Sequence, residues 1–198
     1  MQTSEPVITT PITATTDGAT PVITPPDGTT TNGTTTNGTT PVATGDRILG
    51  FTEIKQWLRH RHPMIYIDRV LDYEPGAHLT STLLVSGTMD VIAGHFPERA
   101  IFPASHLTQA FAQSGIILYQ LSTTPIADDE LTLIGSMKSR FTRIVVPGDQ
   151  VVFTVKSELI QDSTFFFSGR AVVEDRTVAA FKGTLVRVKV ADMGRMLW

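Results

Sequence analysis

Cysteine is absent from this chain, which excludes disulfide scaffolds, thiolate metal sites and cysteine nucleophiles. The sequence also lacks a run of about eighteen apolar residues and a basic N-terminal segment that leads into an apolar one. We therefore expect a soluble, cytoplasmic protein without a membrane span. His60 and His62 stand near each other without a carboxylate at ligand spacing, so we expect no metal. Nothing resembles a glycine loop that cradles phosphate, and we also expect no cofactor.

Lysine and arginine are missing from residues 1–45, which contain Glu5, Asp17 and Asp27. This segment therefore carries the same net charge as the whole chain, −3, and the remaining residues are balanced. A balanced folded region argues against a nucleic-acid partner, because such proteins present a strong excess of positive charge.

Two regions differ sharply in composition. Residues 1–45 consist largely of Thr, Pro, Gly and Asn and include a tandem TTTNG repeat at residues 29–38. Such a composition buries too little apolar surface to offset chain entropy, so it predicts a disordered tail. Residues 46–198 are long enough for one domain with its own core.

The folded region reads as helices and strands in a definite order. The stretch FTEIKQWLRH predicts a short helix with Thr52 as N-cap and Pro63 after its end. Strands are predicted for MIYIDRVLDY and HLTSTLLVSG, and a helix that is apolar nearly all round is predicted for residues 104–121. Four further strands follow at residues 131–141, 150–161, 164–174 and 176–190. One buried helix among about six antiparallel strands predicts an α+β fold in which a sheet wraps around a helix.

His95 is the first candidate for chemistry. It lies between Gly94 and Phe96-Pro97, where the following proline holds Phe96 extended. A helix begins shortly after Pro103, and its first N–H groups are free to polarise a carbonyl. A neutral imidazole can take a proton near neutral pH, although a lone histidine is often only a hydrogen-bonded structural residue.

Gln109 and Gln113 lie one turn apart on the buried helix, and His106 lies one turn before them. One interpretation is that the two amides satisfy each other or nearby backbone groups. The other is that this stripe of the helix lines a groove. Composition alone leaves both open.

Basic residues cluster in two places, Arg59 and Arg61 ahead of one strand and Lys138, Arg140 and Arg143 in or after another. They indicate either a solvated sheet edge that discourages aggregation or a contact for an acidic partner.

Five ordered motifs, HRHPMIYIDRV, EPG, GHFPERAIFP, QAFAQ and VVPGDQ, resemble those of the bacterial β-hydroxyacyl-acyl-carrier-protein dehydratases of the FabZ type. The resemblance spans residues 51–190. It implies the hotdog fold, assembled as dimers with an acyl tunnel at the dimer interface, and loss of water from a β-hydroxyacyl thioester in fatty-acid-like or polyketide biosynthesis.

The resemblance also assigns roles. It makes His95 the base that removes the α-proton, and it makes the Ala104 N–H the donor to the thioester carbonyl. The remaining substrate-binding positions are Phe96, Pro97, Phe102, Pro103 and Gln113. The basic residues named above become contacts for an acidic acyl carrier protein with its phosphopantetheine-linked acyl chain.

Gln109 departs from the family, which has a glutamate or an aspartate at this position, and Ala104, Glu98 and Ala100 are further departures. A carboxamide cannot deliver a proton at physiological pH. In the family, the histidine and carboxylate of one site come from different subunits. The resemblance fits a homodimer or a heterodimer with a dehydratase-like paralogue. We hypothesise the heterodimer, in which the paralogue supplies the carboxylate to His95.

Two alternatives stay open. The chain could be a catalytically silent hotdog subunit that binds acyl chains or shapes a partner's tunnel. It could also carry another hotdog chemistry, namely thioester hydrolysis or double-bond isomerisation.

Overall fold

The structure, a computed structural model, describes residues 47–194. The disordered tail expected at residues 1–45 lies outside the described residues. No helix within residues 47–194 is both long and apolar enough to cross a membrane.

Three helices and six strands make up the described part of the chain. They are α1 (Phe51–Trp57), β1 (Arg69–Glu74), β2 (His78–Leu84), α2 (Asp90–His95), α3 (Ala104–Ser122), β3 (Glu130–Phe141), β4 (Gln150–Gln161), β5 (Thr164–Val173) and β6 (Arg176–Lys189), with a 3-10 turn at Val190–Met193. All strand pairs are antiparallel, and the strands follow the order β1-β2-β4-β5-β6-β3 across one sheet.

The long helix α3 packs against one face of this sheet. Every residue from Ala110 to Gln120 is buried, which confirms the prediction of a helix that is apolar nearly all round. On the facing strands alternate residues are buried, among them Val151 and Phe153 of β4. This period-two burial is expected for a sheet with one face on the core.

An aromatic layer joins α3 to the sheet. Phe111 stacks on Phe167 with ring centroids 5.2 Å apart, and Tyr119 stacks on Phe165 at the same separation. Gly115 lies between these helix positions, and a Cβ on it would stand 2.8 Å from the Phe167 ring. Glycine is therefore needed here so that the helix can approach the sheet closely.

Three features of the structure differ from the sequence-based prediction. The N-cap of α1 is Gly50 rather than Thr52, because the Gly50 N–H donates to Glu53 Oε2 at 2.7 Å and starts the helix earlier in the chain. β1 begins at Arg69 rather than Met64. The backbone groups of Met64 and Tyr66 bond to a side chain of α3 instead of a neighbouring strand.

The third feature is α2, a six-residue helix that the sequence analysis did not predict. Only Ile92 of this helix is buried, so it is too short and too weakly patterned to show a helical period. Its importance is that it ends at His95.

Within residues 47–194, β3 forms one edge of the sheet and pairs with β6 alone. It is twelve residues long and exposes large apolar side chains, with Leu133 41%, Ile134 49% and Phe141 41% accessible. A long edge strand with exposed apolar residues is a surface on which another strand can pair.

Candidate active site

His95 is held by one hydrogen bond through its ring. It is half-buried, and its Nδ1 lies 2.9 Å from the Ile101 carbonyl oxygen. A carbonyl oxygen only accepts, so this contact assigns the ring proton to Nδ1. Nε2 therefore carries the lone pair, which is the form that a general base requires.

The loop between α2 and α3 sets the direction of the ring. Phe96 is extended, with φ −135° and ψ 95°, as predicted for a residue before proline. Its aromatic ring lies against His95 with centroids 4.0 Å apart. Phe102 is buried, and its N–H donates to the Val145 carbonyl at 2.8 Å, which ties the loop to the segment after β3.

α3 begins at Ala104, directly after this loop, and Pro103 is the N-cap. The Pro103 carbonyl accepts hydrogen bonds from the N–H groups of His106 and Leu107. Ala104 is the first helical residue, so its N–H has no acceptor within the helix. An N–H of this kind can bind a carbonyl oxygen or a developing negative charge.

Gln113 and Gln109 have different surroundings although they lie one turn apart. Gln113 is buried; its Nε2 donates to the Met64 carbonyl at 2.6 Å, and its Oε1 accepts from the Tyr66 N–H at 2.9 Å. Gln109 is half-exposed, and its Nε2 reaches the same Met64 carbonyl only at 3.4 Å. The Gln113 amide is committed to holding the 64–66 segment, whereas the Gln109 amide has no strong partner.

His106 belongs to the same surroundings. Its ring meets Tyr66 edge-on at 4.9 Å, and its Nδ1 lies 3.1 Å from Ser105 Oγ. Burial lowers the pKa of His106, and the charge of His95 lowers it further. The charge state of His95 therefore affects that of His106. The sequence showed only that His106 lies one turn before Gln109.

A cavity of about 280 Å³ lies farther along α3. Ile116 and Gln120, which line it, follow Gln109 by seven and eleven positions and so share its stripe of the helix. Its walls are mainly apolar, with Trp57 from the end of α1 and Leu131 and Leu133 from β3. The sequence analysis missed this cavity because its walls come from segments far apart in the chain.

The five predicted carrier contacts fall into two groups. The guanidinium of Arg59 donates to the Ala127 carbonyl at 2.6 Å, and that of Arg61 donates to the Leu58 carbonyl at 2.6 Å. Lys138, Arg140 and Arg143 are exposed, the first two on β3 and the third just after it. All five side chains are exposed, and those of Arg59 and Arg61 are in addition hydrogen-bonded to backbone carbonyls.

No group of three or more His, Asp or Glu side chains within residues 47–194 is arranged to hold a metal ion. The chemistry available to the described residues of this site consists of two imidazoles, a helix N-terminus and two amides.

A family model described as a FabA-like domain matches residues 58–182. The chain belongs to the FabA-like family. The coronafacic acid dehydratase of Pseudomonas savastanoi pv. glycinea is 60% identical over 152 residues, which cover 77% of this chain and 92% of that protein. The 3-hydroxyacyl-[acyl-carrier-protein] dehydratase FabZ of Colwellia psychrerythraea is 36% identical over 140 residues, 70% of this chain and 93% of that one. This FabA-like chain is therefore a hydro-lyase.

Solved structures agree on the fold. The dehydratase heterocomplex ApeI:P from Xenorhabdus doucetiae matches with a TM-score of 0.61 at 14% identity, over 71% of this chain and 93% of that one. The TT0310 protein from Thermus thermophilus matches with a TM-score of 0.50 at 17% identity, over 65% and 100% of the two chains. The fold of the FabA-like chain is the predicted hotdog fold, and the resemblance to FabZ is confirmed.

Proposed function

We propose that the chain is one subunit of a β-hydroxyacyl thioester dehydratase that acts on acyl carrier protein in fatty-acid-like or polyketide biosynthesis. The observation that carries this proposal is the hydrogen bond from His95 Nδ1 to the Ile101 carbonyl. It leaves Nε2 as a base at the end of a short helix, next to the free N-terminus of α3.

In the proposed reaction, His95 Nε2 removes the α-proton of the thioester. The electron pair of that C–H bond forms the Cα–Cβ double bond while the Cβ–O bond breaks. The departing hydroxide takes up one proton and leaves as water, so the products are a trans-2-enoyl thioester and water. The Ala104 N–H stabilises the negative charge that develops on the thioester oxygen.

The proton for the leaving hydroxyl needs a donor that this chain lacks at the family position. Gln109 is a carboxamide, which donates hydrogen bonds but no proton. We therefore infer a heterodimer in which a paralogue with a glutamate at the equivalent position completes the site of His95. A dehydratase heterocomplex among the matching folds is a precedent for such pairing.

The apolar cavity beside Ile116 is evidence for a substrate with a long acyl chain. It lies on the Gln109 stripe of α3, and a helix rises about 1.5 Å per residue. Seven residues therefore separate Gln109 from Ile116 by roughly 10 Å along the axis. An acyl chain that starts at the reacting carbons and runs along this stripe would bury its end among Trp57, Ile116 and Leu133.

One observation favours a second candidate, a catalytically silent subunit that shapes the tunnel of its partner. The half-exposed Gln109 side chain has only a 3.4 Å contact with the Met64 carbonyl, and an amide at the family's carboxyl position delivers no proton. In a silent subunit, His95 would contribute nothing to the activity of the complex.

The test compares the chain alone with the chain co-expressed with dehydratase-like proteins encoded near it, using a β-hydroxyacyl carrier protein as substrate. We expect weak or no dehydration by the chain alone and a strong increase in the complex. Gln109→Glu in the chain alone should raise the rate by about 10²-fold or more, the usual contribution of a general acid. Gln56→Glu, at an exposed position of α1, is the matched control and should change nothing.

Three outcomes contradict parts of this proposal. Dehydration by the chain alone at an ordinary rate, unaffected by Gln109→Ala, rules out the need for a partner. Full activity of a complex that carries His95→Ala supports the silent subunit. Release of free acid instead of an enoyl thioester means that the chemistry is hydrolysis.

A further inference from the structure

Buried polar atoms that lack a hydrogen-bond partner are concentrated at one place in the structure. Among residues 47–194, the side-chain atoms in this state are His60 Nδ1, Thr132 Oγ1 and Arg187 Nε. His60 and Thr132 both line the cavity of about 280 Å³ beside α3. Arg187 of β6 lies directly opposite Thr132 of β3. Such atoms are rare in folded proteins, so each of them needs an explanation.

Arg187 is explained by its own surroundings. Its guanidinium donates to the Thr124 carbonyl at 2.7 Å and lies over the Tyr119 ring, 5.0 Å from the centroid. One of its nitrogens also lies 3.9 Å from a carboxylate oxygen of Glu130. The group is therefore held by several partners although Nε has none. Thr132 differs, because Oγ1 is the only polar atom of its side chain.

The two unpartnered groups of the cavity wall suit an uncharged oxygen. Burial lowers the pKa of His60, and the charge of Arg61 lowers it further, so the imidazole is neutral near pH 7. A neutral imidazole has one nitrogen that donates and one that accepts, and a threonine hydroxyl does both. A keto or hydroxyl oxygen can bond to either group, whereas an anion among mainly apolar walls is costly to bury.

Two other polar side chains of the cavity wall already have partners. Gln120 Nε2 donates to the Trp57 carbonyl at 2.6 Å, and Gln120 Oε1 accepts from the Ile126 N–H at 2.9 Å. Because Trp57 and Ile126 also line the cavity, these bonds fix its frame. Arg59 donates to the Ala127 carbonyl at 2.6 Å. The groups available to a ligand are thus the two that lack partners.

The apolar part of the wall places the polar pair near the end of an acyl chain. Ile116, Leu131 and Leu133 supply much of this wall. Ligand sites of this composition use their few polar groups to fix orientation and specificity. His60 and Thr132 line the cavity, so rotation about a side-chain bond turns their polar atoms toward a bound group. A fully reduced chain would leave both atoms unpaired, whereas a chain that carries an oxygen would pair them.

We propose that this cavity recognises an acyl chain with a distal oxygen, and that His60 and Thr132 bond to that keto or hydroxyl oxygen. The inference rests on the proposed function and deepens it, because it names the class of substrate. That class is a partly reduced chain of the polyketide type rather than a fully reduced fatty acyl chain.

The experiment uses the active form of the protein and β-hydroxyacyl thioesters of N-acetylcysteamine with equal numbers of carbons. One thioester is fully reduced beyond the β-carbon, and the others carry one keto or one hydroxyl group at successive carbons of the distal half. We expect kcat/KM at the best oxygen position to exceed that of the reduced chain by roughly tenfold or more, because the reduced chain leaves buried polar groups unpaired. The difference should lie in KM, since the oxygen is remote from the reacting carbons.

Two variants remove the polar atoms while roughly keeping the size of the side chains, namely Thr132→Val and His60→Phe. Each should remove most of the preference for the oxygen-bearing chain and leave kcat/KM for the reduced chain unchanged or higher. The matched control is Thr154→Val, at a position half-buried like Thr132. The Thr154 side chain points away from the core, because Phe153 and Val155 on either side of it are buried. The preference should be unchanged in this control.

Trp57 gives a readout that does not depend on turnover. Trp198 is the other tryptophan of the chain, so Trp198→Phe leaves Trp57 as the sole source of indole fluorescence. Thioesters without the β-hydroxyl group bind but cannot be dehydrated, and their titration into the chain should change the Trp57 emission. The Kd for the best oxygen-bearing chain should be lower than that for the reduced chain by roughly tenfold.

Three results would overturn the substrate proposal. One is equal kcat/KM for reduced and oxygen-bearing chains at every position of the oxygen. Another is a preference that survives both Thr132→Val and His60→Phe, since the oxygen would then be bound elsewhere. The third is an equal loss of activity toward all substrates together with a lower melting temperature, which would make the two residues structural. If no sample dehydrates any thioester, the proposed function fails instead, while the Trp57 titration still decides whether the cavity prefers an oxygen-bearing chain.

Discussion

His95 and Ile101 face each other across the turn between α2 and α3, with Nδ1 of the histidine 2.9 Å from the carbonyl oxygen. The partner is a backbone atom, so no side-chain substitution removes it. The backbone of the loop therefore sets the tautomer of the candidate base.

The first prediction concerns this base. His95→Ala in the dehydrating complex should lower kcat by about 10² to 10⁴, the range found when a general acid or base is removed. His95 is half-buried and makes one ring hydrogen bond, so the melting temperature should change little. A rate assay on purified complex and a thermal melt check both parts. An unchanged rate contradicts the assigned role.

The two glutamines of α3 should respond differently to the same substitution. Gln113→Leu leaves the Met64 carbonyl and the Tyr66 N–H without the partner that now bonds both. Met64 is exposed, so its carbonyl can bond to water instead, but Tyr66 is buried. Because a buried unpaired group costs about 1 to 3 kcal/mol, the free energy of unfolding should fall by an amount in that range. The matched control, Gln109→Leu, should change it by less than about 1 kcal/mol. Urea titrations of both variants measure the difference, and equal losses would show that the Gln113 contacts carry no special weight.

Gly115 allows α3 to approach the sheet. In Gly115→Ala the new methyl group would lie 2.8 Å from the Phe167 ring, and forced repacking of a tight core costs about 1 to 3 kcal/mol. Gly87→Ala is the control, since its methyl group would meet Pro147 at an ordinary 3.6 Å. Chemical denaturation should therefore separate the two variants, and a Gly115→Ala protein as stable as Gly87→Ala would contradict the close packing.

His60 should make stability depend on pH. Burial lowers the pKa of His60 below its usual value of 6.5, and the charge of Arg61 lowers it further. The unfolded chain therefore binds this proton more readily than the folded one, and stability falls as pH falls from about 6.5 through the folded pKa. In His60→Leu this part of the loss should disappear, so urea midpoints measured between pH 7.5 and pH 5 should decline less steeply. An identical decline in both proteins means that His60 is not responsible.

The cavity beside α3 should limit the length of the acyl chain that the protein accepts. Leu133→Trp places a larger side chain in its wall and should reduce kcat/KM for long-chain β-hydroxyacyl thioesters by roughly tenfold, with little effect on short ones. Leu159→Trp, on an exposed position of β4 with 50% accessibility, is the control. Equal losses for short and long chains would mean that the acyl chain does not enter this cavity.

Much of the fold could be read from local sequence. β4, β5 and β6 show the alternation of a half-buried strand, and their hairpins turn at residues with positive φ, Asp162 and Glu174. The predicted ends of these strands agree with the structure to within a residue, because period and turn residues are both local signals.

Other features could not be read in this way because they depend on tertiary contacts. The 64–68 segment has the composition of a strand, yet Gln113 holds its backbone. The strand order could not be read either, because β2 pairs with β4 and β3 pairs with β6, and these strands are not consecutive in the chain. In the candidate site, the sequence motif identified His95. Its tautomer and its closeness to His106 became known only from the structure.

The edge strand β3 has a consequence for handling the protein. β3 presents a twelve-residue backbone edge together with the exposed side chains of Leu133, Ile134 and Phe141. An edge strand of this kind can pair with a strand of another chain. In the proposed heterodimer, a strand of the partner that pairs with β3 would cover this edge, whereas chain made in excess of the partner would leave it exposed and would self-associate. The yield of chain on co-expression would then serve as an assay for the partner.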